Sequence, residues 1–179
     1  MTPQEQKKQE LYRDARFTGQ YDSIWQSVGK CVFCDLRDKY VFYEDNGIVL
    51  TVAVFAYTDG HFMIIPRRHV RSIKELTPDE WETIRKCMYM AKKLIRKVHG
   101  IKGMQIVQKD GAEAQSTVEH LHFHCIPFDS PDLCTWNYEK LKNTPVENAE
   151  LYKKQVKTMA KLEAKFKEKY QQSSIEDKK

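Results

Sequence analysis

The sequence predicts an α+β fold: an antiparallel sheet with helices packed on it, followed by a long C-terminal helix. Three observations predict it. Short β-branched and aromatic runs between residues 41 and 66 are separated by tight-turn residues. A sharply delimited amphipathic helix follows over 78–99, and a second amphipathic pattern runs from 146 to 172. Strands joined by turns this short can pair only as antiparallel neighbours.

Taken in order, residues 1–22 are polar and charged, with Leu11, Tyr12 and Phe17 as the main apolar points. They read as a flexible arm or a short helix that packs lightly. A folded domain is expected over 23–138. Residues 41–44 form a short strand stopped by Asp45-Asn46-Gly47, which is turn chemistry. Residues 48–57 read as a buried strand closed by Asp59-Gly60, and 61–66 as the next strand of a meander.

Thr77 is a natural N-cap, Pro78 suits the first helical position and Glu80 completes a capping box. Trp81, Ile84, Met88, Ala91, Ile95 and Val98 then share one face, and Gly100 stops the helix. Residues 104–107 give another strand, 109–114 a loop, and 118–127 a strand rich in histidine. From 146 to 172 one long helix is expected, with Tyr152, Val156, Met159, Leu162, Phe166 and Tyr170 along one side and seven lysines elsewhere. Residues 139–172 thus form a C-terminal amphipathic helix, read as a docking or dimer helix with a solvated basic face. Residues 173–179 are expected to fray.

At 179 residues the chain is long enough to bury a core. No apolar run approaches a membrane span and no signal-peptide pattern opens the chain, so a cytoplasmic protein is expected. The five cysteines are an odd number, and Cys31-Val32-Phe33-Cys34 has the spacing of a metal knuckle, not of a disulfide framework. A net charge of +5 favours anionic ligands without by itself implying nucleic acid.

The informative stretch is Glu119-His120-Leu121-His122-Phe123-His124-Cys125-Ile126-Pro127. On a strand, alternation sends the three imidazoles to one face and Leu121, Phe123 and Cys125 to the other. One histidine on an apolar strand is a common core residue. Three at period two point to a metal or nucleotide site. A nearby pair, His61 and His69, brackets the preceding strand.

Two chemistries follow. Cys31 and Cys34 could supply half of a structural zinc site, or be two packed thiols, and periodicity does not choose the remaining ligands. An imidazole with one nitrogen held by a backbone carbonyl can attack phosphorus with the other, while its neighbours neutralise phosphoryl charge. Ser116 and Thr117 add hydroxyls before the histidine strand, and Gly111 lets backbone approach a ligand closely.

From about Cys31 to Pro127 the chain resembles the histidine triad (HIT) family of nucleotide hydrolases and transferases. The resemblance is carried by Cys31-x-x-Cys34, by Gly60-His61-Phe62-Met63-Ile64-Ile65-Pro66-x-x-His69, by Asp110-Gly111-x-Glu113-Ala114 and by His120-x-His122-x-His124. The triad followed by Trp136-Asn137-Tyr138 is most similar to the branch that processes diadenosine tetraphosphate, and the Asp-Gly-x-Glu-Ala loop is also similar to the fragile-histidine-triad branch.

The resemblance implies a half-barrel antiparallel sheet with helices on one side, commonly in a homodimer whose sheets join. It implies His122 as nucleophile, His124 on the α-phosphate, His61 supporting the triad and Thr117 facing the phosphate and leaving group. It assigns a structural zinc to Cys31, Cys34, His69 and His120. It also implies that the base, adenine in such a site, and its ribose would lie against the first strands near Phe42, Ile48 and Leu50.

Three departures from the family pattern concern substrate choice. Lys109 stands where Asn or Gln is common, Gln115 and Ser116 where Gly-Gln is usual, and Phe128 where arginine is frequent. Lys109 either suits a longer polyphosphate or faces solvent. Within the family, a nucleoside 5'-phosphoramidase is the alternative reading. A DNA 5'-adenylate hydrolase of the aprataxin kind would draw on the lysine-rich helix, but no second Cys/His cluster follows Cys134 to make a DNA-binding finger, which argues against nucleic acid as partner.

Overall fold

The structure, a computed structural model, describes residues 2–21, 23, 29–111, 114, 116–131, 140 and 142–176, with side chains of the last helix described through Glu168. Gln115, Glu113, Trp25, Cys134 and the Trp136-Asn137-Tyr138 run lie outside these residues. Two compact units are present, residues 1–133 and 134–179.

The first unit opens with helix α1, Pro3–Asp14, capped by the Thr2 hydroxyl. Five strands follow: β1 Val41–Asp45, β2 Ile48–Val52, β3 Phe62–Pro66, β4 Gly103–Val107 and β5 Phe123–Phe128. Helix α2, Pro78–His99, lies between β3 and β4. Every pairing is antiparallel, in the order β1-β2-β3-β5-β4. The sheet is the expected α+β arrangement.

Local chemistry explains the elements. Asn46 and Gly47 both take positive φ (45° and 69°), the two-residue turn whose twist suits a hairpin. At α2, Thr77 Oγ1 accepts from the Glu80 amide at 3.2 Å, and Glu80 accepts from the Thr77 amide at 2.8 Å. Gly100, at φ 73°, ends the helix.

The helix stripe is displaced from the expectation. Ile84, Cys87, Ala91 and Ile95 are buried, whereas Trp81 and Val98 at the two ends are exposed. Trp81 nevertheless meets the Phe123 ring of β5, tilted at 55° with centroids 6.2 Å apart.

The two faces of the sheet do different things. Ile48, Leu50, Phe62, Ile64, Phe123 and Cys125 meet α2 in the main core. On the other face Phe33, Met63 and Ile65 form a smaller cluster, with Val32, Leu36, Ala53 and Val118 against it. That second face carries the site.

Two predicted strands are shorter than expected, and both breaks are functional in position. The strand predicted over 48–57 ends at Val52: Ala53 donates its amide to His61 O (3.1 Å), and the chain then turns so that the Tyr57 amide meets His61 Nδ1 (3.1 Å). The strand predicted over 118–127 begins only at Phe123, because the Leu121 amide donates to Val70 O at 2.7 Å instead of to β3. His120 and His122 therefore precede the strand, and only His124 belongs to it.

In the second unit the single helix expected over 146–172 is two. Helix α3, Pro145–Lys153, is capped by Thr144, and α4 runs Val156–Glu176, past the point where fraying was expected. Tyr152, Val156, Met159, Leu162 and Phe166 are all exposed.

Candidate active site and metal-binding cluster

The run from His120 to His124 feeds two neighbouring sites. At the first, His120 Nε2–H donates to Pro66 O at 2.8 Å, which fixes the tautomer and turns Nδ1 toward the cysteines. His120 Nδ1 stands 3.5 Å from Cys31 Sγ and 3.6 Å from Cys34 Sγ, and His69 Nδ1 stands 3.1 Å from Cys34 Sγ. All four ligand atoms lie within 4.8 Å of one another.

Zn–S bonds of 2.3 Å and Zn–N bonds near 2.05 Å give a tetrahedron with edges of roughly 3.3–3.8 Å; both His120–cysteine separations fall in that range, and small side-chain shifts bring the others to it. Two thiols and two imidazoles are also the donor set that zinc takes in closed sites. The residues fit a metal.

At the second site, His122 Nδ1–H donates to the His120 carbonyl at 2.8 Å, leaving Nε2 as the nitrogen available to the cavity that His122 lines. The His122 ring stands 4.8 Å from the His124 ring and 4.8 Å from Phe33. A relay of tautomers runs behind them. The Tyr57 amide donates to His61 Nδ1, so His61 carries its proton on Nε2 and donates to His124 Nδ1 at 3.0 Å. His124 Nε2–H is then left as a donor.

Burial keeps these rings neutral. His61 is pushed down to about 3, chiefly by burial, then by the charges of Arg16 and His122. His124 is likewise pushed down to about 3, by burial first and then by His122 and His61. Burial also lowers His122, against the opposing effect of its bond to the His120 carbonyl. A neutral His124 donates one hydrogen bond without carrying charge.

A cavity of about 310 Å³ opens on this face. Its walls include His61, His122, His124, Thr117 and Lys109, which the sequence singled out. They also include Val32, Phe33, Thr51, Ala53 and Met63, which it did not. Of the residues expected to meet base and ribose, none of Phe42, Ile48 and Leu50 lines the cavity. Ile48 and Leu50 are completely buried on the α2 face, and Phe42 is half-exposed against the edge of Phe62. Strand alternation is the reason: residues 48 and 50 point away from the face that Thr51 and Met63 share.

Residues 36–130 match the HIT domain family. The chain belongs to the histidine triad family. This HIT domain is 32% identical over 117 residues to the asymmetrical bis(5'-nucleosyl)-tetraphosphatase of Schizosaccharomyces pombe, covering 63% of this chain and 63% of that protein. Its fold matches a HIT family protein from Bacillus anthracis with a TM-score of 0.62 at 24% identity, over 73% of this chain and 97% of that one. It also matches a zinc-bound histidine triad protein from Mycobacterium smegmatis, with a TM-score of 0.53 at 23% identity, over 62% and 83% of the two chains. Histidine triad proteins are nucleotide hydrolases and transferases, and this chain is an enzyme of that class.

The remaining wall of this HIT domain's cavity comes from its N-terminal segment. Tyr12 and Tyr21 meet the edges and faces around Phe55 at 5.2 Å each, and Arg16 lies between the Tyr21 and Tyr57 rings. Ala15, beside it, is wholly buried. Residues 1–22 therefore do more than pack lightly. Nothing in their composition marks Arg16 as a cavity residue, because its partners Phe55 and Tyr57 lie about forty positions on. Ser116 lines no part of the cavity; its hydroxyl donates to Val118 O at 3.2 Å.

Proposed function

We propose that this protein is a nucleotide hydrolase or nucleotidyl transferase that cleaves at the α-phosphate of dinucleoside polyphosphates or related nucleotides through a covalent nucleotidyl-histidine. The observation that carries this reading is the His122 Nδ1–H bond to the His120 carbonyl. It leaves Nε2 with a lone pair toward the cavity, and it stabilises the positive charge the ring gains on bonding to phosphorus.

In the first step His122 Nε2 attacks the α-phosphorus. A P–N bond forms while the bridging P–O bond breaks, and the leaving oxygen takes the bonding pair. His124 donates to a non-bridging oxygen, with His61 holding its tautomer, and the Thr117 hydroxyl faces the leaving group. In the second step water attacks phosphorus. The P–N electron pair returns to Nε2, the monophosphate departs, and the surplus proton of the water passes to solvent. Val32, Phe33, Ala53 and Met63 suit the apolar face of a base, adenine in this reading.

Cys31, Cys34, His69 and His120 would hold a zinc ion with a structural role, closing the 31–34 loop onto the 66–70 segment; the zinc-bound M. smegmatis protein shares the fold. Free thiols of this kind suit a cytoplasmic setting. A homodimer belongs to the same reading: β4 is an edge strand with Ile106 exposed, able to extend the sheet into a second copy.

The test is product analysis. Purified protein is incubated with diadenosine tetraphosphate, with and without inorganic phosphate, beside His122→Ala. AMP plus ATP from the wild type alone identifies a hydrolase, and ADP plus ATP requiring phosphate identifies the transferase. Undiminished turnover by His122→Ala rejects the assignment.

A further inference from the structure

The cavity has two unlike ends with His122 and His124 between them. Ring contacts order them: Phe33 touches His122, His122 touches His124, and His124 lies 5.6 Å from Tyr57. Around Phe33 the walls carry Val32, Leu36, Ala53 and Met63, with the Lys30–Asp35 ion pair, Arg37 and Tyr40 from the same segment also lining the cavity. Beyond His124 they are cationic and hydroxylic.

At that second end the Arg16 guanidinium is sandwiched, 4.0 Å from the Tyr21 ring centre and 4.3 Å from that of Tyr57. Its Nε–H donates to Phe55 O at 2.8 Å, which fixes one edge of the fork and leaves the terminal nitrogens uncommitted. Lys109 Nζ reaches the Tyr57 hydroxyl at 3.4 Å, and Tyr21 and Thr117 share a hydrogen bond at 3.2 Å. Among the described residues, neither Arg16 nor Lys109 pairs with a carboxylate. Asp35, which also lines the cavity, is paired with Lys30, so these two half-buried cations face the cavity with no carboxylate bonded to either.

We propose that Arg16, delivered by the N-terminal segment, acts with Lys109 as the anchor for the phosphates of the leaving group, so that the preferred substrate carries at least one phosphate beyond the one attacked. This rests on the phosphohistidine reading and decides its substrate class. An oxygen leaving as a polyphosphate accumulates negative charge as the P–O bond breaks. A rigid, forked guanidinium and a lysine aimed at that charge stabilise it without needing a proton. An amine leaving from a phosphoramidate must instead gain a proton, and it has no anion for these cations to hold. The neutral His61 and His124 agree with this, since neither is a ready acid near pH 7. The aromatic sandwich does the positioning: it holds the guanidinium flat while its stacked faces cost it none of its donors.

The experiment compares Arg16→Gln, Arg16→Lys and wild type on diadenosine tetraphosphate and on adenosine 5'-phosphoramidate. Loss of a charged hydrogen bond to the leaving group should lower kcat/KM on the tetraphosphate by about ten- to a hundredfold. The loss on the phosphoramidate should be at least about tenfold smaller, and Arg16→Lys should recover part of the tetraphosphate activity. Equal losses on the two substrates, or no loss on the tetraphosphate, overturn the proposal. Calorimetric binding of inorganic tripolyphosphate to wild type and Arg16→Gln separates it from the parent reading. If wild type turned over neither substrate, the phosphohistidine reading would fail; weaker tripolyphosphate binding by Arg16→Gln would still support the anchor, and equal binding would overturn it.

Discussion

Lowering the pH from 7 to 5 should destabilise the fold through the relay of neutral imidazoles behind the cavity. His61 and His124 both have native pKa values pushed down to about 3 from an ordinary 6.5. The unfolded chain therefore takes up protons as the pH falls through 6.5, while the native rings stay neutral until about 3. Stability present above 6.5 is lost progressively between those values. At pH 5 each unfolded imidazole gains RT ln(1 + 10^1.5), about 2.1 kcal/mol, against about 0.2 at pH 7. Each ring thus costs roughly 1.9 kcal/mol over this window, and the pair close to 4. Both side chains are at least nine-tenths buried, so solvent screening takes little from this. The assay is urea unfolding at the two pH values for wild type and His61→Gln. The variant should lose roughly 2 kcal/mol less than wild type, about 1 M in midpoint for an m-value near 2 kcal/mol/M. Identical pH dependence in wild type and variant would refute the reasoning.

Two other perturbations test the supports of the site. Removing the metal with a chelator should lower Tm: an ion held at a thousandfold its Kd contributes about 4 kcal/mol, roughly 8–16 °C for a chain of this size. A melting curve with and without chelator, beside Cys34→Ser, measures it; unchanged melting would remove zinc from the account. Gly60→Ala should destabilise by about 1 kcal/mol or more, because Gly60 sits at φ 80° and a Cβ there would stand 2.6 Å from the His99 ring. Urea unfolding reads the loss, and a neutral substitution would mean that the 53–61 loop re-forms around the methyl group.

How much was legible in the sequence depended on whether the signal was local. The β1–β2 turn, the capping box of α2 and the stop at Gly100 are written in adjacent residues, and each stands where it was expected. The metal cluster came through a resemblance that joined four distant residues, and the structure brings those four together. The end of β2 was not legible, because residues 53–57 are apolar enough for a strand. What stops them is His61, whose Nδ1 takes the Tyr57 amide and whose carbonyl takes that of Ala53. Nor was the apolar pocket wall. Ile48 and Leu50 looked like ligand-facing residues, but period two placed Thr51 on the cavity face instead.

The alternation of the three histidines turns out to matter less as a strand pattern than as a backbone device. Only His124 lies on a strand, yet His120 and His122 are oriented as firmly, by carbonyl acceptors on opposite ring nitrogens. His120 gives Nε2–H to Pro66 O and presents Nδ1 to the cysteines; His122 gives Nδ1–H to His120 O and presents Nε2 to the cavity. The peptide oxygen of His120 is thereby the support of His122, and its ring belongs to the metal cluster. The chain leaves the sheet at Leu121, whose amide goes to Val70 O, while the carbonyl of the same peptide unit takes the His122 Nδ1–H. That bond holds the second imidazole in one tautomer. The candidate metal cluster and the proposed nucleophile thus meet at one residue, His120, whose ring serves the first and whose carbonyl serves the second.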